Sequence, residues 1–138
     1  MRKVAIITGG ARGIGRACAH ALARASYDIA LVDLLGPELE RTATEIRGLG
    51  RETMTFEADA SVFGRAQEVA GTVRAQLGRV DFLLNNAGKP MPKGVLEISE
   101  REFDDTIAIN LRAASTIFAP SRRPCWSRVA AASSRCRR

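Results

Sequence analysis

The sequence predicts an α/β protein built on a doubly wound parallel sheet, and three observations carry that prediction. Short apolar runs without polar alternation recur along the chain, as suits strands buried on both faces of a parallel sheet. Segments with helical spacing of apolar residues alternate with them, which implies right-handed crossovers and helices on both faces. A glycine cluster separates the first such strand from the first such helix.

The elements follow in order. Val4 to Ile7 is the first strand, followed by glycines at 9, 10, 13 and 15. Ala17, Cys18, Ala21, Leu22 and Ala25 then recur at helical spacing. Asp28 to Leu34 reads as the second strand, Glu38 to Leu49 as a helix stopped by Gly50, and Thr53 to Glu57 as the third strand. Ala66 to Leu77 is a helix closed by Gly78, and Val80 to Leu84 a fourth strand running into Asn85-Asn86-Ala87-Gly88. After a Gly/Pro/Lys loop at 88–94, Ser99 and Glu102 form a capping box ahead of Phe103, Ile107 and Leu111, where a fourth helix begins. The expected architecture is Rossmann-like and truncated after this fourth strand and fourth helix.

The chain divides at about residue 118. Residues 1–118 hold 15 basic and 15 acidic side chains, whereas residues 119–138 hold six arginines and no acid, so the net charge of +6 belongs to the tail. Pro120 and Pro124 break any helix there. The abrupt change to Arg, Pro, Ser, Cys and Trp reads as a disordered end or as translation in a shifted frame. Six arginines without a structured face argue against a nucleic-acid partner. Cys18, Cys125 and Cys136 show neither metal-ligand spacing nor an even disulfide framework, so no metal is expected and a reduced, cytoplasmic setting is the default. No apolar run approaches the about 20 residues of a membrane span.

The chemistry begins at Thr8-Gly9-Gly10-Ala11-Arg12-Gly13-Ile14-Gly15. A strand turning sharply into a helix presents free backbone N–H groups and the positive end of a helix dipole, the setting in which a dinucleotide pyrophosphate is held. The strand–turn–helix context favours a binding turn formed by Gly9, Arg12, Gly13, Ile14 and Gly15 over a merely structural one. Eighteen residues beyond Gly15, Asp33 ends the second strand, where a carboxylate can accept both hydroxyls of an adenosine ribose. That favours NAD. Arg12 pulls the other way, toward a 2′-phosphate, but the Asp33 contact is the direct one and carries more weight, so NADP is the lesser expectation. A solvated acid at a strand end is the plain alternative.

TGGARGIG at the first turn, Glu57-Ala58-Asp59-Ala60 after the third strand, and NNAG after the fourth together resemble the short-chain dehydrogenases/reductases, most of all the bacterial ketoacyl-carrier-protein-reductase type. The resemblance covers residues 2 to about 112. It implies that Asp59 and Ala60 flank an adenine ring, that Asn86, Ala87 and Gly88 line the cofactor, and that Asn110, 22 residues past Gly88, holds a water of a proton relay. It further implies hydride transfer between nicotinamide and a small alcohol or ketone. Alone, Asn86 and Gly88 could simply close a strand, His20 reads as a surface or packing residue, and Cys18 as a small core residue.

The family's remaining chemistry uses a Ser and a Tyr with a Lys four residues on. The single tyrosine, Tyr27, has Leu31 in that place, and no lysine follows Lys93. Arg128 to Ser134 resembles a fifth strand with its Ser, but the alanine run has poor strand propensity and lies too near Asn110, so chance similarity is the expectation. Asn110 is then the one matching catalytic position, and this copy is expected to be inactive, a noncatalytic NAD-binding module or a gene fragment. Its fourth strand is expected to be an open edge that favours self-association over the family's ordinary oligomer.

Overall fold

The computed structural model describes residues 2–91, 93–94, 96–112 and 130–133. Their order is β1 (Lys3–Thr8), α1 (Gly13–Arg24), β2 (Tyr27–Asp33), α2 (Gly36–Arg47), β3 (Thr53–Glu57), α3 (Phe63–Leu77), β4 (Phe82–Asn85), α4 (Glu100–Ile107), a π-helical turn (Ala108–Arg112) and β5 (Ala130–Ser133). The strands form one sheet in the order β3-β2-β1-β4-β5, and every neighbouring pair is parallel.

This is the predicted doubly wound α/β fold. The chain reverses its direction of travel across the sheet between β1 and β4, the switch point at which open sheets of this kind receive ligands. Alternate strand residues feed two cores. Val4, Ile6, Ala30, Val32 and Leu83 pack with Ala66, Val69 and Val73 of α3. Ala5, Ile7, Ile29, Leu31 and Leu84 pack with Ala19 and Ala23 of α1 and Leu39, Ala43 and Ile46 of α2. Burial on both faces explains the unbroken apolar runs.

Two expectations need correction. The sheet does not end at its fourth strand: Ala130–Ser133 pairs with Phe82–Asn85 in parallel register, Ser133 level with Asn85. The β4 edge is therefore covered along its length, and four residues of the expected tail belong to the sheet. An already ordered strand offers a template of backbone donors and acceptors, and that pairing overrides the weak strand propensity of an alanine run. Ser134 lies outside the described residues, as do residues 113–129.

The second correction is local. β4 begins at Phe82 rather than Val80 because Asp81 serves as an anchor: its Oδ2 accepts from the Val4 amide at 2.9 Å, while the Asp81 amide donates to the Val4 carbonyl at 2.8 Å. Burial pushes the Asp81 carboxyl up, but the Arg79 guanidinium and the Val4 amide outweigh it and hold the group below its ordinary value.

α4 starts with the predicted capping box. Ser99 Oγ accepts from the Glu102 amide at 3.3 Å, and the Glu102 carboxylate accepts from the Ser99 amide at 3.0 Å. Among the described residues, no helix is long and apolar enough to cross a membrane.

Candidate functional site

At the carboxyl ends of β1, β2 and β4 the structure opens a cleft of about 590 Å³. Gly9, Arg12, Gly13 and Ile14 form one wall, Asp33, Asp59 and Ala60 a second, and Asn86, Ala87 and Gly88 a third. Residues far apart in sequence thus converge on one space. Gly15, expected among the binding residues, does not line the cleft; it packs against the Gly9 carbonyl and the Asn86 side chain. Sequence reasoning missed Val32, Leu34, Leu35, Ala58 and Ile109, which also line the cleft. Val32, Leu34 and Ile109 directly adjoin motif residues and Ala58 lies inside the Glu57–Ala60 motif, but an apolar side chain gives no signal of its own there.

The glycine turn is held by backbone bonds to β2, with the Gly9 amide donating to the Val32 carbonyl at 2.8 Å. Gly9 and Gly13 have φ values of +67° and +57°, the left-handed region that disfavours side chains. Gly15 is required for a different reason: a Cβ there would lie 2.0 Å from the Gly9 carbonyl oxygen. At Gly13 nothing lies within 4 Å of such an atom, so the space above it is open to the cleft.

α1 then begins with Arg12 as its N-cap, no side-chain cap and no acid in its first turn. Helix geometry leaves the first N–H groups without intrahelical acceptors, and this end of the helix dipole is positive.

Asp33 is fixed from two sides. Its Oδ2 accepts from the Ala11 amide at 3.0 Å, while Oδ1 accepts from the Leu34 amide at 2.8 Å and the Leu35 amide at 3.3 Å. The carboxylate therefore ties the glycine turn to the end of β2 while it faces the cleft. Asp59 is held by a turn of its own, with Oδ1 accepting from the Ser61 amide at 2.8 Å and the Ser61 hydroxyl at 2.7 Å.

The third wall is fastened through buried Thr8. Its hydroxyl oxygen accepts from the amides of Asn86 and Ala87, both at 3.0 Å, and the Asn86 side-chain nitrogen donates to the carbonyls of Thr8 at 3.2 Å and Gly9 at 3.1 Å. Asn86 joins the ends of β1 and β4 and underlies the glycine turn.

Asn110 sits in the π-helical turn that follows α4. Such turns often occur at functional sites because one extra residue re-aims the neighbouring side chains. Asn110 Oδ1 accepts from the Lys89 amide at 3.1 Å, and Nδ2 donates to the Lys89 carbonyl at 3.0 Å. A Cβ at Gly88 would lie 2.5 Å from that Oδ1, so Gly88 leaves the room Asn110 occupies. Asn110 stands beside the cleft, and its neighbour Ile109 lines it.

His20 lies elsewhere. Its Nε2 is 2.8 Å from Glu45 Oε2, and Arg16 donates to the same carboxylate at 3.0 and 2.6 Å, a clamp between α1 and α2. The Arg16 and His20 hydrogen bonds hold the Glu45 carboxyl below its ordinary value. Among the described residues, no group of three or more His, Cys, Asp or Glu could hold a metal.

Known proteins share this fold. The family model for short chain dehydrogenase matches residues 3–120. A 3-oxoacyl-(acyl-carrier-protein) reductase from Staphylococcus epidermidis is 36% identical over 114 residues, which cover 81% of this chain and 46% of the relative. A short-chain dehydrogenase from Mycobacterium paratuberculosis, solved bound to NAD, superposes with a TM-score of 0.80 at 30% identity over 88% of this chain and 50% of that one. An alcohol dehydrogenase from the archaeon Thermococcus sibiricus, solved with 5-hydroxy-NADP, gives a TM-score of 0.79 at 38% identity over 84% of this chain and 50% of that one. The chain spans under half the length of the curated relatives it matches. With the family model matched along most of its length and its sheet superposing on solved members, the chain belongs to the short-chain dehydrogenase family.

Proposed function

We propose that the cleft holds a nicotinamide dinucleotide, NAD in preference to NADP, and that the chain is the cofactor-binding portion of an oxidoreductase acting on a small alcohol or ketone. The observation that carries this reading is the Asp33 carboxylate, anchored by three backbone amides and facing the cleft opposite the open glycine turn. The open space above Gly13 suits a group that must approach the backbone closely, as a pyrophosphate does.

The amides at the start of α1 would receive the pyrophosphate, with Arg12 adding positive charge beside it. Asp33 would accept from the adenosine ribose hydroxyls, and the same carboxylate would repel a 2′-phosphate. Asp59 and Ala60 would flank the adenine, while Asn86, Ala87 and Gly88 would shape the wall toward the nicotinamide. When bound, the dinucleotide supplies a carbon that gives or takes hydride.

Asn110 would order a water: its amide has one N–H and one lone pair beyond its two bonds to Lys89. Protonation of a substrate oxygen needs an acid, and the family resemblance points to a Tyr–Lys pair for it. Tyr27 is the only tyrosine of the 138 residues, and it stands at the start of β2, away from the cleft. These 138 residues are expected to bind cofactor without turnover by themselves, and a noncatalytic NAD-binding module is the second reading.

Calorimetric titration with NAD and NADP, on the protein and on Asp33→Asn, tests the reading. The expected result is saturable NAD binding at least tenfold tighter than NADP, and a preference that shrinks by about tenfold in the variant, roughly the weight of one charge-assisted hydrogen bond. Equal affinity for both cofactors in the unaltered protein would overturn the NAD preference.

A further inference from the structure

We propose that Glu57 is a second determinant of cofactor choice, acting with Asp33 to exclude a dinucleotide that carries a 2′-phosphate. This rests on the reading of the cleft as a dinucleotide site.

Asp33 and Glu57 are register partners at the ends of β2 and β3. In a parallel pair, residues at matched positions project from the same face of the sheet, so Glu57 shares a sheet face with Asp33 and directly precedes Ala58, which lines the cleft, although Glu57 does not line it itself. Glu57 is exposed.

Its position is set by a notch. A Cβ at Gly36 would lie 2.3 Å from Glu57 Oε2 and 3.0 Å from its carboxyl carbon, so the carboxylate rests against the Gly36 backbone in room that only glycine leaves. Gly36 is the first residue of α2, whose N-cap Leu35 provides no side-chain cap. Leu35 itself lines the cleft.

The start of α2 is thus next to the place where a 2′-phosphate would stand, and its dipole would favour an anion there. Glu57 brings a negative charge of its own to that helix end. Any 2′-phosphate arriving beside Asp33 meets a second carboxylate at a helix end whose first turn already carries Glu38. The free 2′-hydroxyl of NAD carries no charge for Glu57 to repel. Cofactor choice is therefore divided between a residue that touches the ribose and one that sets the field behind it.

The test is calorimetric titration of the full chain, Glu57→Gln and Gly36→Ala with NAD and NADP at low and high salt. Gln keeps the size of Glu and removes its charge; Ala at Gly36 keeps the charge and displaces it from the notch. Glu57→Gln is expected to tighten NADP binding about five- to tenfold relative to NAD, with a smaller gain at high salt, as a screened charge requires. Gly36→Ala is expected to move the ratio in the same direction by a smaller factor, and it decides the matter if Glu57→Gln does not fold. An unchanged NADP-to-NAD ratio in a folded variant that still binds NAD overturns the role of Glu57 and leaves the cleft assignment standing. Failure of the unaltered protein to bind either dinucleotide overturns the cleft assignment and the role of Glu57 together.

Discussion

Glycines only two positions apart serve different ends in the first turn. At Gly13 the backbone is left-handed and the space beyond it is open, so an added methyl costs conformational energy alone. At Gly15 the methyl would be driven into the Gly9 carbonyl, and backbone must move to admit it. Gly13→Ala should therefore cost about 1 to 2 kcal/mol, the ordinary penalty for a left-handed alanine. Gly15→Ala should cost about 3 kcal/mol or more, since overpacking against fixed backbone has no cheap relaxation. Urea unfolding of both variants checks the order. Equal losses would mean that the turn is looser than the Gly9–Gly15 contact implies.

At this scale much of the cleft's lining was legible. The glycine turn, Asp33, Asp59 and Asn86 declare themselves because each must be a particular residue type in a particular place. Leu34, Leu35 and Ile109 do not: many apolar side chains could line the same wall, and their position depends on how the strand ends are juxtaposed. The partnership of Gly36 with Glu57 was also illegible, because it joins an unremarked glycine to an exposed acid across two elements.

Among the elements, α4 is governed by its first turn. Lys93 Nζ lies 2.6 Å from Glu102 Oε1, and Ser99 bonds Glu102 through both its amide and its hydroxyl. These bonds, with Lys93 first, lower the Glu102 carboxyl to about 2. A carboxyl depressed in the folded state contributes stability above its unfolded value near 4.5 and loses that contribution as pH falls toward 2. Amide protection in α4, relative to the intrinsic exchange rate at each pH, should fall across that window ahead of protection in β1. Ser99→Ala should weaken the helix by about 1 kcal/mol, the usual value of an N-cap, and should flatten the pH response. An α4 whose protection is unchanged between pH 5 and pH 2 would contradict the role of the box.

Some elements were read closely from sequence, as with Thr53–Glu57, whose bounds agree in full, and with the Ser99 cap. β4 and β5 were misread because their determinants are tertiary. β4 starts late because Asp81 is taken up by the Val4 amide. β5 forms from alanines because β4 offers them partners, and no local pattern records that offer.

For the whole molecule, the decisive feature is the position of β4. It lies between β1 and β5 and carries Asn86 and Ala87 at its end, so the third wall of the cleft depends on a strand supported from both sides. The amides of β4 should accordingly exchange as slowly as those of β2, which is likewise flanked on both sides. Fast exchange confined to β4 would show an open edge instead, with the self-association such an edge promotes.

Occupation of the cleft by a dinucleotide is tested most directly by a two-dimensional amide NMR titration of the protein with NAD. The predicted result is saturable shifts at Gly13, Ile14, Asp33, Asp59 and Ala87, residues that only the folded cleft brings together, with α3 beyond Ala66 unmoved. Shifts confined to the arginine-rich end, or none at saturating NAD, would contradict it.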